Sequence, residues 1–318
     1  MKVARYKQYG GVENIEVTDQ PDPTPRPSEL LVDVHASSVN PVDWKIAAGE
    51  FPMNLLRPAA PYIPGFDVAG VCLNTAGGFT KGERVFVRLP GLRGGASAER
   101  VCFDPVGTAR IPEGMSDHDA AAIPLAGMTA LQGLHDEGRL PREGADGKRV
   151  LVVGASGGVG HFGVQLAKAA GAHVTGVCST RNVDLVRSLG ADAVIDYTRS
   201  ERYDEGGAYD LILDCVGHDP VGRFTPWLAP KGSYVSCLPN ASVFARQFAS
   251  TVGLGPRVRG VMLRPNAKDL TRLATLYTAA KLRVVIDEVF PLERLADAHA
   301  KSIRGRAQGK IVVAVAPR

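Results

Sequence analysis

Cysteine is scarce in this chain: five residues, Cys72, Cys102, Cys178, Cys215 and Cys237, among 318. Their number is odd, they are widely spaced and no C-x-x-C pair occurs. A disulfide framework and a cysteine-rich zinc lobe are both excluded as organising principles. Histidine is equally thin. None of the seven (His35, His118, His135, His161, His173, His218, His299) forms an H-x-x-x-H pair, so no metal is expected. Charge of one sign is also missing, with a net +4 and no block of five like charges, which argues against nucleic acid or an acidic membrane as partner. No stretch of about 18 apolar residues is present to span a bilayer, and the opening MKVARYKQYG holds no apolar core of signal-peptide length. These absences together point to a soluble protein of a reducing, cytoplasmic compartment.

What the chain does have is core material. Hydrophobic residues make up 45% and charged residues 22%, a composition for packed domains, and the length suggests about two of them. The first 120 or so residues alternate short apolar runs with glycine turns. Residues 29–36 alternate apolar and polar side chains like a half-buried strand, after a connector with four prolines between Pro21 and Pro27. Runs at 66–73, 84–88 and 98–103 follow, separated by Gly77-Gly78, Lys81-Gly82 and Gly94-Gly95, as in an antiparallel barrel. Near Asp117 the style changes. A helix is expected over 119–134, and from Lys148 apolar strands (150–153, 172–178, 193–195, 211–213, 234–237) alternate with helices (159–170, 183–189). That alternation indicates a parallel sheet covered on both faces. The chain ends strand–helix–strand, at 284–290, 292–302 and 310–315.

The strongest local signal is Val150-Leu-Val-Val-Gly154-Ala-Ser156-Gly157-Gly158-Val159-Gly160, which closes a strand and opens a helix. Glycines there permit a tight turn and close backbone approach, and the free N–H groups at the helix start, with its dipole, receive a pyrophosphate. The spacing G-x-x-G-x-x-G is one residue longer in its first interval than the usual dinucleotide fingerprint. The end of the next strand selects the cofactor. Dinucleotide enzymes that use NAD place an acid about 20 residues past the glycines; here stand Ser179, Thr180 and Arg181. Hydroxyls and a guanidinium suit a 2′-phosphate, so NADP(H) is expected. Ordinary roles exist for the same residues, a helix cap for Ser179 and a solvated helix start for Arg181. Tyr197, after the third strand, is a further candidate for the phosphate or the adenine edge, or else a half-buried aromatic.

These features together resemble the medium-chain dehydrogenase/reductase superfamily, in its zinc-independent quinone and enone reductase branch. The segments that carry the resemblance are Ser38-Val-Asn-Pro-Val-Asp-Trp-Lys45, Pro64-Gly-Phe-Asp-Val-Ala-Gly70, Gly82-Glu-Arg-Val85, Gly94-Gly-Ala-Ser-Ala-Glu99, Pro124-Leu-Ala-Gly-Met-Thr-Ala130, the glycine turn, Leu189-Gly-Ala-Asp192 and Gln308-Gly-Lys-Ile-Val312. The resemblance implies an α/β fold in which a GroES-like β-barrel (residues 1–122 and 285–318) carries an inserted Rossmann domain (123–284) with a doubly wound parallel sheet. It implies a homodimer as well. Zinc-using alcohol dehydrogenases have a cysteine where this chain has Asn40 and a histidine where it has Phe66, so the resemblance implies catalysis without metal.

A metal-free site favours acceptors that spread developing negative charge themselves, namely quinones and α,β-unsaturated carbonyls. The expected activity is therefore NADPH-dependent hydride transfer to such small electrophiles. A zinc-free alcohol dehydrogenase or an enoyl-thioester reductase is the alternative within the class, and an idle, crystallin-like NADPH-binding protein the alternative outside it. The resemblance makes Lys45 the candidate catalytic side chain, one turn into a helix opened by Asn40 as N-cap and Pro41 at its first position, with Asn40 itself the second candidate. Lys45 equally suits a solvated helix face. Thr129 matches a position that touches the nicotinamide, and Cys215 and Val216 follow a strand where the nicotinamide would lie, although Cys215 also suits a buried structural role. The proton donor stays open between Tyr62, Tyr9 and solvent. Substrate-pocket walls are expected around 51–61 and 243–254.

Overall fold

The computed structural model describes residues 1–49, 59–199, 207–217 and 221–315. Two units emerge: residues 1–125 together with 265–318, and residues 126–264.

The first unit carries strands β1 (Lys2–Tyr6), β2 (Ile15–Asp19), β3 (Leu30–Val39), β4 (Asp67–Cys72), β5 (Arg84–Arg88), β6 (Arg100–Phe103) and β7 (Ala109–Arg110), with helices α1 (Pro41–Ala48) and α2 (Asp117–Ala122). α3 (Pro124–Gln132) leads into the second unit, which holds β8 (Arg149–Val153), α4 (Gly160–Ala169), β9 (His173–Cys178), α5 (Val183–Ser188), β10 (Ala193–Asp196), β11 (Tyr209–Asp214), α6 (Val221–Phe224), β12 (Leu228–Ser236), α7 (Ala241–Thr251) and β13 (Arg257–Gly260). The chain then returns to the first unit with α8 (Ala267–Thr278), β14 (Ile286–Pro291), α9 (Leu295–Ile303) and β15 (Lys310–Ala314).

In the first unit a seven-stranded sheet runs β14-β15-β3-β4-β5-β7, with β6 also on β3. β15 pairs antiparallel with β3, Ile311 opposite Val39 and Ala314 opposite Ala36, so the two ends of the chain share one sheet. Alternate residues of β3 and β4 point inward: Leu30, Val32, Val34, Val68 and Cys72 pack with Phe103, Phe290, Leu292 and Val313 in a continuous core.

The second unit is a six-stranded sheet in the order β10-β9-β8-β11-β12-β13, with every pairing parallel. This is the doubly wound order, and the direction of winding reverses between β8 and β11. The central strands read as apolar runs because helices cover both faces; Val150, Leu151, Val152, Leu211, Ile212 and Leu213 are all buried.

The structure departs from the sequence reading in several places. The single helix expected over 119–134 breaks in two at Pro124, which has no N–H to continue the ladder from α2 and instead begins α3, and a π-helical turn (Gly133–Glu137) finishes it. β13 and α8 went unread: β13 shows only an Arg-Val-Arg pattern, the charged look of an edge strand. α8 sits in the first unit, where the Tyr277 hydroxyl donates to Asp119 at 2.8 Å. The second unit accordingly closes at Arg264, against an expected boundary at 284.

Candidate functional site

In the second unit, the parallel sheet gathers the sequence-predicted residues at the carboxyl ends of four strands. The glycine turn follows β8, Ser179 follows β9, Tyr197 follows β10, and Cys215 and Val216 follow β11. The glycines have distinct jobs. Gly154 adopts φ +74°, and a Cβ there would stand 2.7 Å from the Val216 side chain. At Gly160 a Cβ would stand 2.1 Å from the Gly154 carbonyl oxygen, so only glycine lets α4 start against the turn. At Gly157 the nearest atom to such a Cβ is the same carbonyl, 3.3 Å away, leaving the turn's crest open for a ligand. α4 has Val159 at its N-cap and no side chain capping it. An uncapped helix start behind an open glycine crest could hold a dinucleotide's pyrophosphate, and these residues fit such a cofactor.

Ser156 is buried, and its hydroxyl accepts from the Asn182 amide at 2.8 Å. The same amide reaches Ser179 Oγ at 3.4 Å, so Asn182, absent from the sequence reading, ties the glycine turn to the tip of β9. Ser179 stands at the N-cap position of the 3₁₀ turn Thr180–Asn182, but its side chain makes no capping hydrogen bond there. Thr180 behaves differently from a ligand in waiting. Its hydroxyl donates to the Asp196 carboxylate at 2.5 Å and meets the Thr198 hydroxyl at 2.8 Å. The sequence reading found no acid at the end of β9; the structure brings one across from the end of β10. The Thr180 and Thr198 hydrogen bonds hold the Asp196 carboxyl below its usual range, with Arg199 Nε 3.5 Å away. Tyr197 is 55% exposed beside it. Thr129 lies buried on α3, and Gly158 and Val159 complete the turn.

Beyond β11, Asp214 organises the turn that carries Cys215 and Val216. Its buried carboxylate accepts from the N–H groups of Val216 (2.9 Å) and Gly217 (3.1 Å) and from the Tyr234 hydroxyl (2.5 Å).

In the first unit, Asn40 and Pro41 open α1 as expected, and the Asn40 N–H donates to the Asp43 carboxylate at 2.6 Å. The Asn40 side chain is committed elsewhere. Its amide oxygen accepts from the Lys310 ammonium at 2.6 Å, and its amide nitrogen donates to Asp67 at 2.9 Å and to the Ser38 carbonyl at 3.4 Å. Asp67 also accepts from Ser38 Oγ (2.7 Å) and from the Leu125 N–H (2.9 Å), with the Lys310 nitrogen 3.8 Å away. Asn40, Asp43, Asp67 and Lys310 are all buried. Burial pushes the Asp43 carboxyl up to about 7, pushes Asp67 up and pushes Lys310 down, while the opposite charges and hydrogen bonds work against those shifts.

The oxygen of Asn40, the position singled out by the resemblance, is already occupied by an ammonium. Phe66 is a buried ring with the Arg88 guanidinium 4.7 Å from its centre. Among the described residues no group of three His, Cys, Asp or Glu is placed to hold a metal ion. The sequence reading missed Asp67 and Lys310. The available signal was a lysine at the start of the apolar run Ile311-Val-Val313, a charge in a strand with nowhere exposed to go.

Lys45 is half-buried on α1, its ammonium 5.6 Å from the centre of the Trp44 ring, and among the described residues it makes no ion pair. Tyr62 is buried against Tyr6 and Tyr9, and burial pushes its hydroxyl well above the usual phenol range, so it keeps its proton. Of the expected pocket walls, residues 51–58 lie outside the described residues, while 241–251 form α7 with Phe244 and Phe248 exposed. No helix among the described residues is long and apolar enough to cross a membrane.

Comparison with known proteins agrees with this architecture. The sequence matches the family described as Alcohol dehydrogenase GroES-like domain over residues 26–114 and that described as Zinc-binding dehydrogenase over 189–313. It is 37% identical to the chloroplast envelope quinone oxidoreductase homolog of Arabidopsis thaliana, with 98% of each chain covered. It is 36% identical to the trans-enoyl reductase pgmF of Aspergillus terreus, over 91% of this chain and 87% of that one. Among solved structures, the quinone oxidoreductase from Coxiella burnetii superimposes with a TM-score of 0.91 at 29% identity, covering 99% of both chains.

Proposed function

Because the chain belongs to the medium-chain dehydrogenase/reductase superfamily, in its quinone oxidoreductase branch, we propose that this NAD(P)H-dependent oxidoreductase uses NADPH to reduce quinones and α,β-unsaturated carbonyls. The observation that carries the reading is the open, uncapped glycine turn at the winding reversal between β8 and β11. In the proposed assignment Gly154, Ser156, Gly157, Gly158 and Val159 hold the pyrophosphate, and Cys215, Val216 and Thr129 wall the nicotinamide. Ser179 and Arg181 take the 2′-phosphate, with Tyr197 beside them. Thr180 supports that tip by binding Asp196, whose charge is already met by two hydroxyls and the nearby Arg199.

When bound, the reduced nicotinamide supplies a hydride to the acceptor carbon. The chain's own task is to stabilise the negative charge that then gathers on the acceptor oxygen. Lys45 is assigned that role through its Nζ–H. Asn40 is assigned a positioning role: with both ends of its amide bonded inside the protein, it fixes the start of α1 and thereby the helix that presents Lys45. An ammonium hydrogen bond is a weaker electrophile than a Lewis-acidic metal, so conjugated acceptors are the substrates it suffices for.

The test is initial-rate kinetics on a panel of quinones, alkenals, cyclic enones, enoyl thioesters and saturated ketones with NADPH and NADH. Highest kcat/KM for a quinone or enone with NADPH is expected. Highest kcat/KM for a saturated ketone, or a tenfold preference for NADH, would overturn it. The trans-enoyl reductase relative favours a second reading, an enoyl-thioester substrate, which the same panel separates.

A further inference from the structure

Parallel register brings two cysteines level at the ends of neighbouring strands. β11 and β12 pair with Asp214 opposite Ser236, and the next residue on each is a cysteine. The Cys215 and Cys237 sulfurs lie 3.8 Å apart, in contact but unbonded, and both residues are half-buried. Adjacent strands run about 4.8 Å apart, within the Cα separation of about 4.4–6.8 Å that a disulfide spans. Bonding therefore asks the sulfurs to close to about 2.0 Å without parting the sheet.

The turn that carries Cys215 has little slack. Its N–H donates to the Val153 carbonyl at 3.1 Å, immediately before Gly154, and its Cβ lies 3.8 Å from where a Gly154 Cβ would stand. The Val216 side chain fills the space that a Cβ at Gly154 would need, and a Cβ at Gly217 would stand 2.9 Å from Leu238. Cys237 is anchored by its own N–H to the Asp214 carbonyl at 2.8 Å. Drawing the Cys215 sulfur toward Cys237 thus pulls on the wall of the first glycine.

We propose that Cys215 and Cys237 are an oxidation site: hydrogen peroxide closes them to a disulfide, and closure weakens dinucleotide binding at the adjoining glycine turn. The second half rests on the reading of that turn as the dinucleotide site. In the first step one sulfur attacks a peroxide oxygen, the O–O bond breaks, water leaves and a sulfenic acid remains. The second sulfur then attacks the first, the S–S bond forms and a second water departs. Two thiols lose two electrons and two protons, which the peroxide takes up. The hydrogen bond shared with Cys237 and burial push the Cys215 thiol up.

The full-length protein is treated with peroxide, digested without reductant and mapped by mass spectrometry, while NADPH affinity is followed by fluorescence before oxidation, after it and after dithiothreitol. A peptide linked through Cys215 and Cys237 is expected, with loss of two of the five titratable thiols. At least fivefold weaker NADPH binding, restored by dithiothreitol, should accompany it. Cys237→Ser, or Cys237→Ala if the serine variant folds poorly, should bind NADPH like the reduced parent and ignore peroxide. Absence of the linked peptide overturns the proposal, as does unchanged affinity in fully linked protein. If the reduced protein binds neither NADPH nor NADH, the reading of the glycine turn fails and the binding half falls with it, whereas the linked peptide reports on the thiol chemistry separately.

Discussion

The Lys310 ammonium donates to the Asn40 amide oxygen across 2.6 Å, joining residues 270 positions apart in the chain. Neither is solvated, and the same amide binds the Asp67 carboxylate, so a positive and a negative charge are buried around one carboxamide. Removing one partner of such a pair leaves the other uncompensated, at a cost of about 3–5 kcal/mol. Lys310→Met should lower stability by that order in urea unfolding at pH 7. Adding Asp67→Asn should recover part of the loss. A single-variant change below about 1 kcal/mol would show that the ammonium contributes little.

Lys45→Ala should reduce kcat/KM for an enone or quinone at least tenfold, which is about 1.4 kcal/mol of transition-state stabilisation. Steady-state rates with saturating NADPH check this. A loss within twofold would take Lys45 out of the chemistry and leave it as a helix residue stacked on Trp44.

Arg181→Glu places an acid at the tip of β9, where NAD enzymes hold the ribose diol. The KM for NADPH should rise at least tenfold while that for NADH changes little, because a carboxylate repels only the 2′-phosphate. Equal effects on both would mean that Arg181 supports the fold of the tip without reading the phosphate.

His299 is buried with its Nδ1 on the Tyr6 hydroxyl at 2.9 Å, and burial lowers its pKa to about 3. An unfolded chain protonates this ring near pH 6.5, well before the native one does. The stability that neutral His299 contributes is therefore complete above about pH 6.5 and is lost as pH falls toward 3, by ~1.4 kcal/mol per pH unit. Asp43, raised to about 7, acts in the opposite sense over an overlapping range, so the variant must be compared with the parent. His299→Gln should show a shallower fall in urea midpoint between pH 6.5 and 4. Parallel curves for parent and variant would exclude the assignment.

Much of this architecture was legible because its signals are local. The apolar strand at 150–153, the glycines at 154, 157 and 160 and the amphipathic segment after them each announce themselves within a few residues. The helix cap at Asn40-Pro41 did so as well. β13 and α8 were missed for the converse reason. A four-residue strand with arginines at alternate positions resembles surface, and α8 is polar enough on its outer face to pass as a connector. Thr180 shows a subtler failure: its hydroxyl was correctly placed at the β9 tip, but its partner Asp196 comes from a different strand.

The sequence by itself determined the alternation of strands and helices and the position of the glycine turn between β8 and α4, because each follows from residue types and short spacings. Only the tertiary structure decided which charges meet and which sulfurs touch. Lys310 finds Asn40 because β15 pairs with β3, and Cys215 finds Cys237 because β11 and β12 share a register. Sheet pairing sets such distances, and it is fixed by the packing of the whole core, to which no stretch of sequence near either residue bears witness.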